Sequence, residues 1–115
     1  MQFRTLPHTE LTVSRACYGT MTFGKQSDQA ASARLVDACL DGGINFFDTA
    51  NMYSTGVAEE MLGKALKGRR GRVVLASKVR FKMGDAPDQE GLSRAAILRA
   101  IDESLARLQT DVTSG

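Results

Sequence analysis

The feature that most limits how this chain can fold is the alternation of short apolar runs with longer stretches of helical periodicity. Ile44-Asn45-Phe46-Phe47 and Val73-Val74-Leu75-Ala76-Ser77 are compact β-forming runs, too short for helices. Around them, three sets of apolar residues follow the 3.6-residue repeat. The first is Ala31, Leu35, Ala38 and Cys39, widened by Val36 and Leu40. The second is Ala58, Met61, Leu62, Ala65 and Leu66, and the third is Ala96, Ile97, Ala100, Ile101, Leu105 and Leu108. Ser27 or Asp28 can cap the first helix, and Gly42-Gly43 can end it. The second stops near Gly68, and Ser93 caps the third. One more strand is expected at Ala16-Cys17-Tyr18-Gly19, leading into a loop from Thr20 to Lys25. Met83 to Gly91 reads as a second loop. At the start, Phe3-Arg4-Thr5 and Leu11-Thr12-Val13 flank Leu6-Pro7-His8-Thr9-Glu10, which suggests a short hairpin.

The order is hairpin, β, α, β, α, β, α, the pattern of a parallel α/β architecture. Apolar strands of this kind imply that both faces of the sheet are covered. No linker divides the 115 residues, a length suited to one domain. A net charge of +2, without a stripe of Lys and Arg, does not support a nucleic-acid surface. The densest basic run, Lys67 to Arg72, reads as a solvated turn. No apolar run approaches the ~20 residues of a membrane span, and the polar start, Met1-Gln2-Phe3-Arg4-Thr5, does not read as a signal peptide. Cys17 and Cys39 lie in apolar segments and are expected to be small buried thiols in a reducing cytoplasm. His8 has no ligand-spaced companion, and no metal site is expected.

In parallel α/β folds functional groups gather beyond the carboxyl ends of the strands. After the second core strand comes Asp48, with Tyr53 in the next loop; after the third comes Lys78. Asp48 and Lys78 are separated by about one βαβ unit. On neighbouring strands, ~4.8 Å apart, they would meet if they stood at matching heights, and Tyr53 can fold back over the same spot. A phenol is a poor acid at neutral pH, its ordinary value being ~10. A nearby ammonium favours the phenolate and so makes a better proton donor to a carbonyl oxygen, while the hydride for the carbonyl carbon must come from a cofactor. The same residues also fit a plain ion pair at strand ends with Tyr53 as a loop anchor, and spacing alone does not choose. Asn51, Ser77 and Glu59 are open in the same way, each able to cap or turn the backbone. Leu62 and Gly63 suit packing of the second helix on the sheet. Neither GxGxxG nor GxxxxGK[ST] nor GxSxG occurs, so no Rossmann cradle, P-loop or nucleophile elbow is supported.

The stretch Asn45-Phe46-Phe47-Asp48-Thr49-Ala50-Asn51-Met52-Tyr53, followed by Glu59-Glu60-Met61-Leu62-Gly63-Lys64-Ala65-Leu66, resembles the first signature of the aldo-keto reductase family. Gly19-Thr20-Met21 and Ala76-Ser77-Lys78 look like matching positions, and the run ending Leu105-Ala106-Arg107-Leu108-Gln109-Thr110-Asp111 is similar to the approach to that family's fourth strand. The resemblance covers residues 1–111. It implies a (β/α)8 TIM barrel, of which the chain would supply the hairpin and about three βα units. It also implies an oxidoreductase that reduces aldehydes or ketones with NADPH, without metal or flavin. Tyr53 would be the proton donor, Lys78 its activator and Asp48 the partner that orients Lys78. Gly19, Thr20 and Met21, with Asp48, would line the nicotinamide end of the pocket, and the hairpin would plug the bottom of the barrel.

Residues 112–115, Val112-Thr113-Ser114-Gly115, depart from the family pattern where an apolar strand ending in a catalytic histidine is expected. From this we expect a chain truncated before that histidine and, alone, inactive or severely impaired. The other reading is a non-catalytic fragment or binding-only isoform of the same family. The expected partner is a small-molecule carbonyl substrate, with neither nucleic acid nor membrane, and self-association through open strand edges.

Overall fold

The structure is a computed structural model, and residues 1–111 are described; the departing tail, residues 112–115, lies outside the described residues. The hairpin forms from β1 (Phe3–Thr5) and β2 (Thr12–Ser14), antiparallel, with Phe3 opposite Ser14 and Thr5 opposite Thr12. The second strand falls one residue later than the β-formers suggest. Asn45 fixes where the hairpin docks. The Ser14 N–H donates to Asn45 Oδ1 at 2.7 Å, the Asn45 N–H to Ser14 Oγ at 3.1 Å, and Asn45 Nδ2 to the Thr12 carbonyl at 2.9 Å. Because Asn45 immediately precedes a core strand, the hairpin sits at the amino end of the sheet, away from the strand ends that carry Asp48 and Lys78.

The core sheet has three parallel strands in the order β3 (Tyr18–Gly19), β4 (Phe46–Asp48) and β5 (Val74–Ala76). The strands are shorter than their apolar runs, and the first keeps two residues of the expected four. Tyr18 stands opposite Phe47, which is opposite Leu75; Gly19 stands opposite Asp48, which is opposite Ala76. Because side chains alternate across a strand, Tyr18, Phe47 and Leu75 turn to one face. That face is covered by α1 (Gln29–Asp41), α2 (Val57–Ala65) and α3 (Arg94–Leu108), with α2 in contact with both others. Phe47 and Leu75 are fully buried in one cluster with Val36, Cys39, Leu62 and Leu108. Burial of each large side chain stabilises by ~1.5–3 kcal/mol.

The opposite face differs from expectation. Val74, in register with Phe46, is buried, but Phe46, Asp48 and Ala76 are only partly so, and among the described residues the helices cover one face of the sheet. The helix caps follow the sequence. Asp28 accepts from the Ala31 N–H at 2.8 Å, Gly42 closes α1, and Ser93 Oγ accepts from the Ala96 N–H at 3.1 Å.

The buried stripes are rotated from the expected ones. On α1 the buried residues are Ser32, Val36 and Cys39, while Ala38 is exposed. On α3 they are Ala96, Ser104 and Leu108, while Ile97 is exposed. Periodicity locates a face to within about a residue, and the neighbouring helix decides which polar groups share it. Phe23, read as loop, is among the largest fully buried side chains, and Pro87–Gln89 forms a 3-10 turn inside the second loop. The basic run is not wholly solvated. Arg69 pairs with Asp37 at 2.6 Å and donates to the Ala65 carbonyl, and Arg70 donates to Val73 O and Thr110 Oγ1.

Candidate active site

Asp48 is the last residue of β4, Lys78 lies two positions beyond β5, and Tyr53 opens a 3-10 turn over Tyr53–Gly56. Asp48 and Lys78 are therefore not level, since Asp48 is in register with Ala76. The long lysine stem closes the offset. Lys78 Nζ donates to Asp48 Oδ2 at 2.7 Å, to the Tyr53 hydroxyl oxygen at 3.0 Å and to the Thr49 carbonyl at 3.1 Å. An ammonium has three donors and no acceptor, so this set satisfies it. The Tyr53 oxygen is then an acceptor toward Lys78, and its own proton is left to donate elsewhere.

Backbone bonds continue the sheet past its strands and hold these groups. The Thr20 N–H and hydroxyl both donate to the Asp48 carbonyl, at 3.0 and 3.2 Å. The Thr49 N–H donates to Ala76 O at 2.9 Å, and the Asn51 N–H to Lys78 O at 3.2 Å. The Tyr53 turn is tense: Ser54, Thr55 and Gly56 all have positive φ, at 49°, 48° and 93°. Left-handed backbone is unfavourable for a β-branched residue such as Thr55. Ser54 offsets some of that cost, since its hydroxyl donates to the carbonyl of buried Phe23 at 2.7 Å.

Electrostatics keep the lysine charged. Partial burial works to lower the Lys78 value, but hydrogen bonds to Asp48 and Tyr53 and the Asp48 charge outweigh it, so the net shift is upward. The side chains of Lys78 and Asp48 are 49% and 33% exposed, so the cluster is within reach of a solute. A cavity of about 320 Å³ adjoins it, lined by Met52, Tyr53, Lys78, Arg80 and Phe81 among others.

The remaining expected positions divide. Gly19 and Met21 are exposed, and a Cβ built on Gly19 meets nothing within 4 Å. Thr20 is fully buried and its hydroxyl is used on the Asp48 carbonyl, so it holds Asp48 in place instead of presenting an open surface. Cys17, expected to be buried, is exposed; it precedes β3 by one residue. Its thiol value is raised first by partial burial and then by the Asp48 carboxylate, against the lowering effect of Lys78. Cys39 is buried as expected. Among the described residues no cluster of three His, Cys, Asp or Glu side chains is placed to hold a metal.

A second group of polar residues escaped assignment in the sequence. Glu59 is fully buried; its Oε1 accepts from Arg107 Nε at 2.8 Å and its Oε2 from the Ser77 hydroxyl at 2.7 Å. The available signal was a carboxylate among Ala58, Leu62 and Gly63 on the apolar face of α2, which required a partner that the sequence did not identify.

The aldo/keto reductase family model matches residues 15–113, and the chain belongs to that family of oxidoreductases. It is 45% identical to an uncharacterized oxidoreductase of Bacillus subtilis, YrpG, over 96% of this chain and 37% of that protein. It is 42% identical to a probable voltage-gated potassium channel subunit beta of Oryza sativa, over 96% of this chain and 35% of that one. Among solved structures, an aldo-keto reductase from Bacillus halodurans in its holo form superposes with a TM-score of 0.83 at 40% identity, covering 98% of this chain and 38% of the other. A second, from a Pseudomonas species and described as a putative aldo-keto reductase, gives 0.84 at 37% identity. These structures are (β/α)8 barrels, and the described residues form the hairpin and three βα units of that fold, without closure. The chain spans a little over a third of the length of these relatives.

Proposed function

We propose that the protein is an NADPH-dependent carbonyl reductase for which this chain supplies the acid-base part of the active site. The observation that carries the reading is the single ammonium of Lys78 bonded at once to Asp48 and Tyr53. Tyr53 donates its proton to the carbonyl oxygen of an aldehyde or ketone lying in the adjoining cavity. As that proton leaves, Lys78 stabilises the negative charge developing on the phenol oxygen. Asp48 keeps the ammonium aimed and offsets its charge between turnovers. Met52 and Phe81, both exposed at the cavity, give an apolar wall for the body of the substrate.

The residues present fit the nicotinamide end of the cofactor: Gly19 has no side chain where Asp48 is partly open, and Met21 is exposed beside it. When bound, NADPH supplies the hydride for the carbonyl carbon. Gly19, Met21 and Asp48 would border the ring, with Thr20 acting through Asp48. We place the protein in the cytoplasm, in keeping with two free thiols; no helix among the described residues is long and apolar enough to cross a membrane.

The test is loss of NADPH absorbance with a generic aldehyde, using the product of the complete reading frame that contains residues 1–115. Tyr53→Phe is expected to lower kcat by roughly 10²–10⁴ while retaining cofactor binding, the range for loss of a positioned acid. Full activity in Tyr53→Phe refutes the assignment. Nucleotide binding with no turnover by the unmutated protein favours the binding-only reading instead.

A further inference from the structure

We propose that Ser77 and Arg107, joined through the buried Glu59 carboxylate, form a relay that positions Lys78, so that the carboxyl end of α3 helps set the geometry of the proton donor. The inference rests on Lys78 serving Tyr53 as described above. It starts from the burial of Glu59. A carboxylate taken wholly out of water is stable only when paired and hydrogen-bonded, and Glu59 uses one oxygen on each of two partners. Glu59 lies in the first turn of α2, where a carboxylate suits the helix dipole, but its two oxygens are taken by the Arg107 and Ser77 side chains.

Each partner has a separate task. Arg107 brings in α3 from 48 residues away, and the contact exists because glycine makes room for it. A Cβ on Gly63 would lie 2.6 Å from the Leu108 carbonyl oxygen, and one on Gly56 would lie 3.0 Å from Arg107 Cδ. Ser77 is the first residue past β5 and the last before Lys78. Its hydroxyl donates to Glu59, which adds a side-chain anchor between the backbone bonds that Ala76 O and Lys78 O accept from Thr49 and Asn51. From there the Lys78 side chain must reach its three acceptors. Ion pairs of this kind contribute little net stability compared with an apolar substitute, and the role assigned to this one is directional. Here the direction is that of the Ser77 hydrogen bond. Glu59, Ser77 and Arg107 are thus positioning residues, not catalytic ones.

Ser77→Ala isolates the link, because it leaves the Glu59–Arg107 pair and Lys78 itself in place. In the product of the complete reading frame, kcat for a generic aldehyde should fall on the order of tenfold with KM changed by less than about twofold, the pattern of a misplaced reacting group. Ser77→Thr, which restores the hydroxyl, should recover most of the loss. The second readout needs no turnover: with 13C-labelled lysine, the Lys78 Cε resonance reports the titration of its ammonium. In Ser77→Ala that titration should move down toward an ordinary lysine as the bonds to Asp48 on β4 and Tyr53 in its turn loosen; the Cys17 thiol is the other titrating group that senses this ammonium. If the unmutated protein reduces no carbonyl, the catalytic reading fails, and the Lys78 resonance still decides the relay. A Ser77→Ala protein with wild-type Lys78 titration overturns the proposal. So does one whose activity falls only in step with its melting temperature and is not recovered by Ser77→Thr.

Discussion

Gly63→Ala is the most informative single change in the scaffold, because two opposing effects of known size meet there. Gly63 lies within α2, and removing a glycine from a helix interior stabilises by about 1 kcal/mol. Against this, the added Cβ would stand 2.6, 2.7 and 2.8 Å from the Leu108 oxygen, carbonyl carbon and Cα. Ordinary contact begins at 3.4 Å, so α3 must retreat by 3.4 − 2.6 = 0.8 Å. The obstacle is backbone and cannot rotate aside. Overpacking of this sort costs ~1–3 kcal/mol, and a backbone obstacle belongs at the upper end. The net expectation is a loss of about 2 kcal/mol. Retreat of α3 also draws Arg107 from Glu59, so activity should fall together with stability. The assay is thermal and urea unfolding followed by circular dichroism. Gly71→Ala is the control, since a Cβ there meets nothing within 4 Å and the backbone is unstrained, so it should change stability by less than about 0.5 kcal/mol. A Gly63→Ala protein as stable as the Gly71→Ala control would show that α2 and α3 do not approach as described.

Three further outcomes are expected. Arg107→Met strands the Glu59 carboxylate in the core and should cost about 3 kcal/mol or more in urea unfolding; a loss below about 1 kcal/mol would mean that Glu59 is hydrated or otherwise paired. Because the folded Lys78 value lies above its ordinary one, its stabilising contribution is complete below the ordinary lysine range and is lost as pH rises through the folded value. Urea midpoints should therefore decline on the alkaline side, and Asp48→Asn, which removes a cause of the shift, should flatten that decline. Cys17, though exposed, should react with iodoacetamide more slowly than the same thiol in the unfolded chain, since burial and then Asp48 hold its proton on. Peptide mass mapping should find it accelerated in Asp48→Asn, and an unchanged rate would place the carboxylate too far away to act.

The elements of the fold were readable because each is a local matter. Alternation of β-forming runs with helical repeats, Asp28 and Ser93 at helix starts and Gly42 after α1 all act within a few residues of themselves. The three groups of the site were likewise readable, since parallel pairing sets the carboxyl end of one strand, and the loop leaving it, beside those of its neighbour. Register was not. Lys78 lies two residues past its strand while Asp48 ends its own, and only the paired backbone shows that the lysine stem spans the difference. Burial of single side chains also escaped, because it depends on neighbours distant in sequence. Cys17 is open where the helices do not cover the sheet, Phe23 is buried from within a loop, and Arg69 and Arg70 are tied to α1, α2 and the segment just past α3.

By itself, then, the sequence determined the alternating α/β order and set Asp48, Tyr53 and Lys78 at or just beyond strand ends, since periodicity and chain order are properties of a string of residues; their acid-base roles came only with the family resemblance. Tertiary structure alone decided that Gly63 faces the backbone of α3 and not the sheet, and that Glu59 reaches both Arg107 and Ser77. The physical reason is that a buried charge is defined by its partners. Those partners lie 18 and 48 residues away, at distances no local pattern encodes.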